Sequence, residues 1–549
     1  MSTFRHFVTF GVGATFALIC TKSAASENFP SLIQTQGNLN QSWDTQPAIA
    51  STQKRLTVGL HAKKDAARPI PPSGNASIVQ SPPLFTQKPP QAEKNSSAPE
   101  FLNPSANPLL FPTKTQEVQI QRTEAITLQQ AIELARRNNR ELQAAQLTLE
   151  RERAALQEAL AAEFPTASVS AEFDRTDSAQ AKLSNQQRAN NPLSQLLGGN
   201  DSTVETSFNT ALQLNYDLYT AGRRPATIRA AEEQVRFQQL EVERLSQQLR
   251  LDATNAYYDL QQADAQVEIS QAAVTDASRS LRDAQLLERA GLGTLFDILQ
   301  AQVSLANANQ DLTRAISQAR ISRRQIVQLL SLAQTVEVRA QDPIAVAGQW
   351  SLSLEQSIVL ALKNRAELEQ FLVQRDIGEQ QRRIALSAVR PQASLSASYN
   401  ILGVLNDNQG PADGLSLGAN LRWNFFDGGA ARARANQART DIAIAETRFA
   451  NQRDRVRLEV EQAFYQLNAN AQNIQTSSFA LAQAEESLRL ARLRFQAGVG
   501  TQTDVITQQT QLTRARGNRL TAILDYNRAL ASLQRAVSNL PNSNLFDLP

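Results

Sequence analysis

Between Gly429 and Gly498 the chain keeps one helical rhythm with no proline or glycine to interrupt it. Val460, Leu467, Ile474, Leu481, Leu488 and Phe495 recur every seven residues, with Ala463, Ala484 and Ala491 on the adjoining seam position. At 1.5 Å per residue such a helix is roughly 100 Å long, several times the usual globular length. A rod of this kind cannot bury its own seam, so it must lie along other helices. Gly498-Val499-Gly500-Thr501 then reverses the chain. The same arrangement occurs earlier: Tyr219-Thr220-Ala221-Gly222 opens it and Gly291-Leu292-Gly293-Thr294 closes it. An offset of 207 carries Gly291 onto Gly498, Asp297 onto Asp504, and Leu260, Val267, Val274 and Leu281 onto Leu467, Ile474, Leu481 and Leu488. Ala256, Ala277 and Ala284 follow onto Ala463, Ala484 and Ala491, so the seam survives a tandem duplication in phase.

A second pair of blocks precedes the rods at a different offset. Thr127 is a suitable N-cap for a helix over Leu128–Glu163 that stops before Pro165, and Ser353 opens its counterpart, which stops before Pro391. That offset is 226 (Leu128 to Leu354, Pro165 to Pro391), and its change to 207 must lie in loop lengths. After each proline the period drops to two. Val169, Ala171 and Phe173 alternate with Ser168, Ser170 and Glu172, and Leu395, Ala397 and Tyr399 alternate with Ser394, Ser396 and Ser398. Polar loops at about 174–205 and 400–414 lead to return strands around Phe208–Leu218 and Leu415–Phe425, giving hairpins over 166–219 and 392–426. Each strand is close to the roughly 9–11 residues of a tilted membrane strand. Four strands cannot close a barrel, and an open edge does not survive in lipid, so closure requires several copies; three give twelve strands. Tyr216, Tyr219, Trp423, Phe425 and Phe426 cluster at the strand ends nearest the rods, as an interfacial girdle would. The alternative is the edge of a soluble β-sandwich packed on helices.

The chain therefore divides into two repeats, 126–332 and 353–538, joined by a connector over 333–352 and followed by a tail over 539–549. Return helices run from the tips to about Leu332 and Ser538, with Ala301, Ala308 and Ala315, and Ala515, Ala522, Ala529 and Ala536, as small seam residues. The economical packing stacks each short helix end to end with a return helix beside a long rod. Met1–Ala25 reads as a secretory signal, with Arg5 and His6 before the apolar run Phe7–Ile19 and small residues at Ser23-Ala24-Ala25; a retained anchor is the alternative. Cys20 is the only cysteine and would leave with the signal. Residues 26–120 are rich in Pro, Ser and Gln and lack periodicity, which predicts a disordered tail. No later apolar run reaches the roughly 18–20 residues of a spanning helix.

Catalysis has little to work with. The only histidines are His6 and His61, and no nucleophile–base set, metal-ligand spacing or phosphate loop occurs, so no catalytic, cofactor or metal residues are assigned. Lys+Arg 55 against Asp+Glu 52 gives no basic surface for nucleic acid. The informative residues are at the tips. Gly291, Gly293, Gly498 and Gly500 permit the reversals beside Thr294 and Thr501. Asp297 and Asp504 serve either as N-caps of the return helices or, repeated by symmetry, as an acidic ring favouring cations.

These matches (Leu128–Leu142 with Leu354–Leu368, the strand entries at Pro165 and Pro391, the exits at Tyr219–Gly222 and Phe426–Gly429, and the tips Gly291–Asp297 and Gly498–Asp504) resemble the TolC-type outer-membrane efflux protein family over about Ile126–Asn539. The resemblance implies a homotrimer of mixed α and β class. A coiled-coil barrel of long antiparallel helices continues into a transmembrane antiparallel β-barrel with four strands per subunit. It also implies a periplasmic adaptor (membrane fusion protein) docked on the tips, an inner-membrane transporter of RND or ABC type, contact with outer-membrane lipid, and cargo of drugs or unfolded proteins. The best-known member gates its periplasmic end with an acidic pair and a basic latch. Asp504 matches the first acid, Thr507 stands in place of the second and Gly500 in place of the latch, leaving an acidic ring from Asp504 with Asp297 nearby. The reading is a passive export duct in the outer membrane, extending into the periplasm. The rival is a periplasmic coiled-coil scaffold without a pore.

Overall fold

A computed structural model describes residues 98–538, except for 106, 108, 190–203 and 406–409. The signal reading for 1–25, most of the proline-rich segment and the 539–549 tail lie outside the described residues. In chain order the elements are β1 (Arg122–Ile126), α1 (Leu128–Asn138), α2 (Arg140–Ala161), β2 (Thr166–Asp177), α3 (Ala179–Ala189), β3 (Val204–Tyr219), α4 (Arg223–Arg289), α5 (Leu295–Leu329), β4 (Val336–Ala340), α6 (Leu354–Asn364), α7 (Ala366–Ser387), β5 (Gln392–Val404), β6 (Ala412–Arg422), α8 (Ala430–Gln496) and α9 (Gln502–Val537). The two rods, α4 and α8, are both 67 residues long. The offset changes at the strand loops: residues 178–203 join β2 to β3, but only 405–411 join β5 to β6, and α3 lies in the longer connection, where a plain polar loop is expected from sequence.

Each rod opens on a left-handed pair, Ala221–Gly222 in one half and Gly428–Gly429 in the other, with φ of 53° and 88°, then 69° and 89°. The second pair is held by Asp427, whose carboxylate accepts from Gly429 N at 3.0 Å and Ala431 N at 2.7 Å. The seam predicted from the heptads is buried in part: Leu260, Val460, Leu467 and Leu488 lie inside, Val460 and Leu467 in one cluster with Ala529 and Ala536 of α9, whereas Val267, Val274, Leu281, Ile474 and Leu481 are half-buried. Toward the tips the helices lie side by side in the order α5–α4–α9–α8, and toward the sheet in the order α2–α4–α7–α8. The layer is thus four helices wide throughout.

The helix expected over Leu128–Glu163 is two helices. Asn139 leaves the helical region (ψ 125°) and its side chain accepts from Leu142 N, capping α2. The counterpart breaks likewise at Arg365, ψ 116°. At each break the stack of short helix on return helix is joined. Asn139 Nδ2 donates to the Leu329 carbonyl at 3.2 Å, and Arg365 Nη1 donates to the Ala536 carbonyl at 3.3 Å. These pairs correspond through the two offsets, so the joint is itself duplicated.

Around this level sits a belt, which the sequence reading offers for Asp342–Ala347 as a belt or connector, but without its strands. β1 and β4 pair in parallel, Arg122 to Val336 through Ile126 to Ala340, so a strand lies within the stretch expected to be plain connector. Five residues each are too short for periodicity to declare them, and their partner is over 200 residues away. The belt is clamped to the rods. Tyr257, wholly buried, donates to Asp342 at 2.9 Å, while Asp342 Oδ2 accepts from Leu128 N at 2.7 Å. Tyr526 donates to the Gly348 carbonyl, and Asn527 exchanges bonds with Ala345 and Ala347. Burial pushes the Tyr257 hydroxyl up, keeping it a neutral donor. The disorder expected up to residue 120 is also corrected in part. Leu102 is 0 % exposed in this core and its carbonyl accepts from Ala333 N, because a single leucine beside Ala98 is enough to fill the gap under β4.

Candidate functional site

The strands form one sheet in the order β2–β3–β5–β6, antiparallel throughout. Register decides what each face carries. Val169 lies opposite Leu212, Leu212 opposite Tyr399, and Tyr399 opposite Leu415. One step along, Ser168 meets Gln213, Gln213 meets Ser398, and Ser398 meets Ser416. Because side chains alternate, one face is a field of Val, Leu, Phe and Tyr and the other a field of Ser, Asn and Gln. The apolar side chains are bare: Val169, Phe173, Leu212, Leu415, Leu417 and Leu421 are all exposed. Phe208 lies across Gly403, where an added Cβ would come within 2.2 Å of its ring. Among the described residues, β2 and β6 each pair on one side only.

At the junction of sheet and rods, Trp423 donates through Nε1 to the Val389 carbonyl at 3.1 Å and meets Phe425 edge-on at 6.3 Å. Arg224 lies over the Tyr216 ring at 5.4 Å. Tyr219, Phe425 and Phe426 are exposed there.

At the far end, the two tips share a backbone device. Gly291 and Gly498 take the left-handed region at φ 76° and 73°. Gly293 and Gly500 are needed for closeness instead: a Cβ would sit 3.0 Å from Glu288 N in one and 3.1 Å from Phe495 N in the other. Asp297 and Asp504 are not N-caps. Thr294 and Thr501 hold that place, and each aspartate stands three residues on, closing a capping box. Asp504 Oδ2 accepts from Thr501 N at 3.0 Å and Thr501 Oγ1 at 2.8 Å, and these bonds hold its carboxyl below the usual range. The sequence favoured Asp as a cap because it ranks as high there as Thr; the loop geometry chose the residue directly after the glycine. Thr507 donates to its own Thr503 carbonyl at 2.7 Å.

The tips are brought together: Gln300 of α5 and Thr503 of α9 are hydrogen bonded at 3.1 Å. Gln502, wholly buried, donates to Ser280 at 2.9 Å, Gln509 donates to the Asp276 carbonyl, and Arg492 pairs with Asp276 at 2.8 Å. Sequence reasoning missed this lock between halves. The one available signal was that Gln502 replaces Leu295 at the equivalent place. The tips also differ in surface: Leu292, Leu295, Phe296 and Leu299 are exposed on the first, whereas Val499, Thr501 and Thr503 occupy the second.

A bare apolar sheet face set on a long helical layer is a distinctive pairing, and comparison with known proteins resolves it. The family model described as "Outer membrane efflux protein" matches residues 131–331 and 357–539. The chain belongs to the outer membrane efflux protein family. Both halves of the duplication are matched, and the break between the matched segments falls at the belt. Among curated relatives, protein CyaE of Bordetella pertussis is 26% identical over 343 residues, covering 59% of this chain and 70% of that protein. Outer membrane protein TolC of Vibrio cholerae is 23% identical over 315 residues, 55% of this chain and 70% of that protein. Among solved structures, CusC aligns with a TM-score of 0.64 at 16% identity, covering 81% of this chain and 98% of that one. VceC of Vibrio cholerae aligns at 0.62 with 18% identity, covering 75% and 96%. Membership of the outer membrane efflux protein family places the chain in the outer membrane as an efflux channel, and no described helix is long and apolar enough to cross a membrane.

Proposed function

We propose that three copies of this chain close into one continuous duct, a twelve-stranded β-barrel in the outer membrane leading into a twelve-helix-wide tunnel in the periplasm. The observation that carries this is the incompleteness of one chain. Its sheet has two unpaired edges and a bare apolar face, and its helical layer ends in two unpartnered helices. Those outer helices carry exposed apolar stripes: Leu299 and Val303 on α5, and Leu458, Tyr465, Phe479 and Leu493 on α8. A stripe on each flank lets neighbours join as α9 joins α8 within the chain. The apolar strand face then meets lipid, the Ser, Asn and Gln face lines a wet lumen, and Tyr216, Tyr219, Trp423, Phe425 and Phe426 form the girdle.

Transport through this duct is passive. An energised inner-membrane transporter supplies the work, and a periplasmic adaptor docks on the tips around Gly291, Gly293, Thr294, Gly498, Gly500 and Thr501. Asp504, with Asp297 and Thr507 beside it, forms a polar, acidic constriction that favours cations. The test is purification from outer membrane in detergent, cross-linking, and recording in a planar bilayer. Trimers with stable conductance are expected, and Asp504→Asn should lower cation selectivity. A monomer without conductance would leave the scaffold without a pore as the better account.

A further inference from the structure

Away from strands and tips, a cavity of about 180 Å³ lies where α1, the belt, α4 and α9 meet. Its wall combines Leu128, Ile132 and Leu530 with Arg250, Arg535, Tyr258 and Gln534, and among the described residues no acidic side chain lines it. Arg250 is half-buried, and among the described residues it has no carboxylate partner. Burial and the nearby Arg136 guanidinium both lower its proton affinity, so the surroundings hold a cation they do not neutralise. Tyr258 is 5 % exposed, and among the described residues its hydroxyl has no hydrogen-bond partner; its ring only meets Tyr257 edge-on. Asp342, the acid nearest to it, is engaged by Tyr257 and Leu128 N. Gln534 likewise makes no hydrogen bond among the described residues. The duplicated position shows what is usual: Arg457, equivalent to Arg250, is exposed and paired with Glu461 at 2.8 Å.

Arg535 Nε, in the same wall, is buried without a hydrogen-bond partner, and the half-buried Arg250 guanidinium has none either; donors left open in one cavity are costly unless something completes them. We propose that this cavity binds a small oxyanion, a phosphate, sulfate or carboxylate group, through Arg250 and the Tyr258 hydroxyl, with Gln534 as a further donor. The anion bridges the two halves of the chain, since α1 and α4 belong to the first and α9 to the second. It would stabilise the belt, where the stacked helices are joined. The site is independent of the duct reading, because its residues all lie within one chain.

The test is the thermal unfolding and calorimetric titration of the full-length detergent-solubilised protein with inorganic phosphate, against chloride at matched ionic strength. Phosphate should raise the midpoint of the wild-type protein. Arg250→Gln should weaken phosphate binding by about 10- to 100-fold and Tyr258→Phe by about 3- to 10-fold, as expected for losing a charge-assisted and a neutral hydrogen bond. Arg457→Gln should leave phosphate binding unchanged. No phosphate-specific stabilisation of the wild type, or equal stabilisation of wild type and Arg250→Gln, overturns the proposal. If Arg250→Gln fails to fold, Tyr258→Phe decides by the same readout: unchanged affinity overturns the site.

Discussion

The two joints, one in each half of the duplication, have the same backbone and opposite chemistry. In the first, Asn139 reaches the Leu329 carbonyl, and Glu141 beside it faces solvent. In the second, Arg365 reaches the Ala536 carbonyl, and the residues around it are charged and nearly enclosed. Glu367 pairs with Arg535 at 2.6 Å and with Arg365 at 3.0 Å, and Arg365 also meets Glu459 at 2.9 Å. Their side chains are only 13, 9 and 5 % exposed for Glu367, Arg535 and Arg365. Burial pushes the Glu367 carboxyl up, but the guanidinium groups of Arg535 and Arg365 outweigh it and hold the carboxyl at about 2. The lesson is that a duplicated backbone fixes where helices must meet, while the side chains that join them are free to diverge between a neutral bond and an ion network.

Removing one member of the network should have the largest effect. Glu367→Gln strips the enclosed Arg535 of its carboxylate and leaves Arg365 with Glu459 alone, and should cost about 3 kcal/mol, read as a drop in chemical-denaturation stability. Its pH signature has a fixed sign. The folded carboxyl titrates near 2, below its ordinary 4.5, so its contribution is complete above about 4.5 and is lost as pH falls toward 2. Stability of the wild type should fall over that window, and Glu367→Gln should flatten the fall; an unchanged slope would show that the ion network is not linked to folding. Next in size come the tips. Gly498→Val and Gly291→Val force a β-branched residue to φ near 75°, at about 1–2 kcal/mol each. Equal losses would extend the backbone symmetry to the tips. A larger loss at Gly498 would single out the half held by Gln502 and Arg492. Smallest should be Asn139→Ala, about 1 kcal/mol for a lost cap and one neutral bond. If it matched Glu367→Gln, the contrast between joints would fail.

Much of this architecture is visible in the residues themselves. The heptads specify the rods because burial of Leu260 or Leu467 every second turn leaves no other helix-compatible solution, and the strands declare themselves because lipid or lumen on opposite faces demands strict alternation. What was hidden depends on single residues and distant partners. The helix break at Asn139 needs only one cap, in a sequence that otherwise continues a helical pattern. β1 and β4, at five residues each, are too short to show a period. The anchoring of Leu102 rests on one side chain within a polar, proline-rich run. At the tips, the four glycines were readable but the division of labour between them was not, since a left-handed φ and a close backbone approach ask for the same residue type. Gln502 is polar in sequence and enclosed in the fold, which only a neighbouring helix could reveal.

The end-to-end joints make the molecule's reach adjustable. Each rod is continuous, but its companion is built from two independent pieces that abut at Asn139 or Arg365. Adding one heptad to both rods and both return helices lengthens the tip side by about 10 Å, keeps the two tips level with each other, and leaves the belt and everything above it in register. The distance bridged below the belt is therefore a spacer that evolution, or an engineer, can change in fixed increments without redesigning the lipid-facing part.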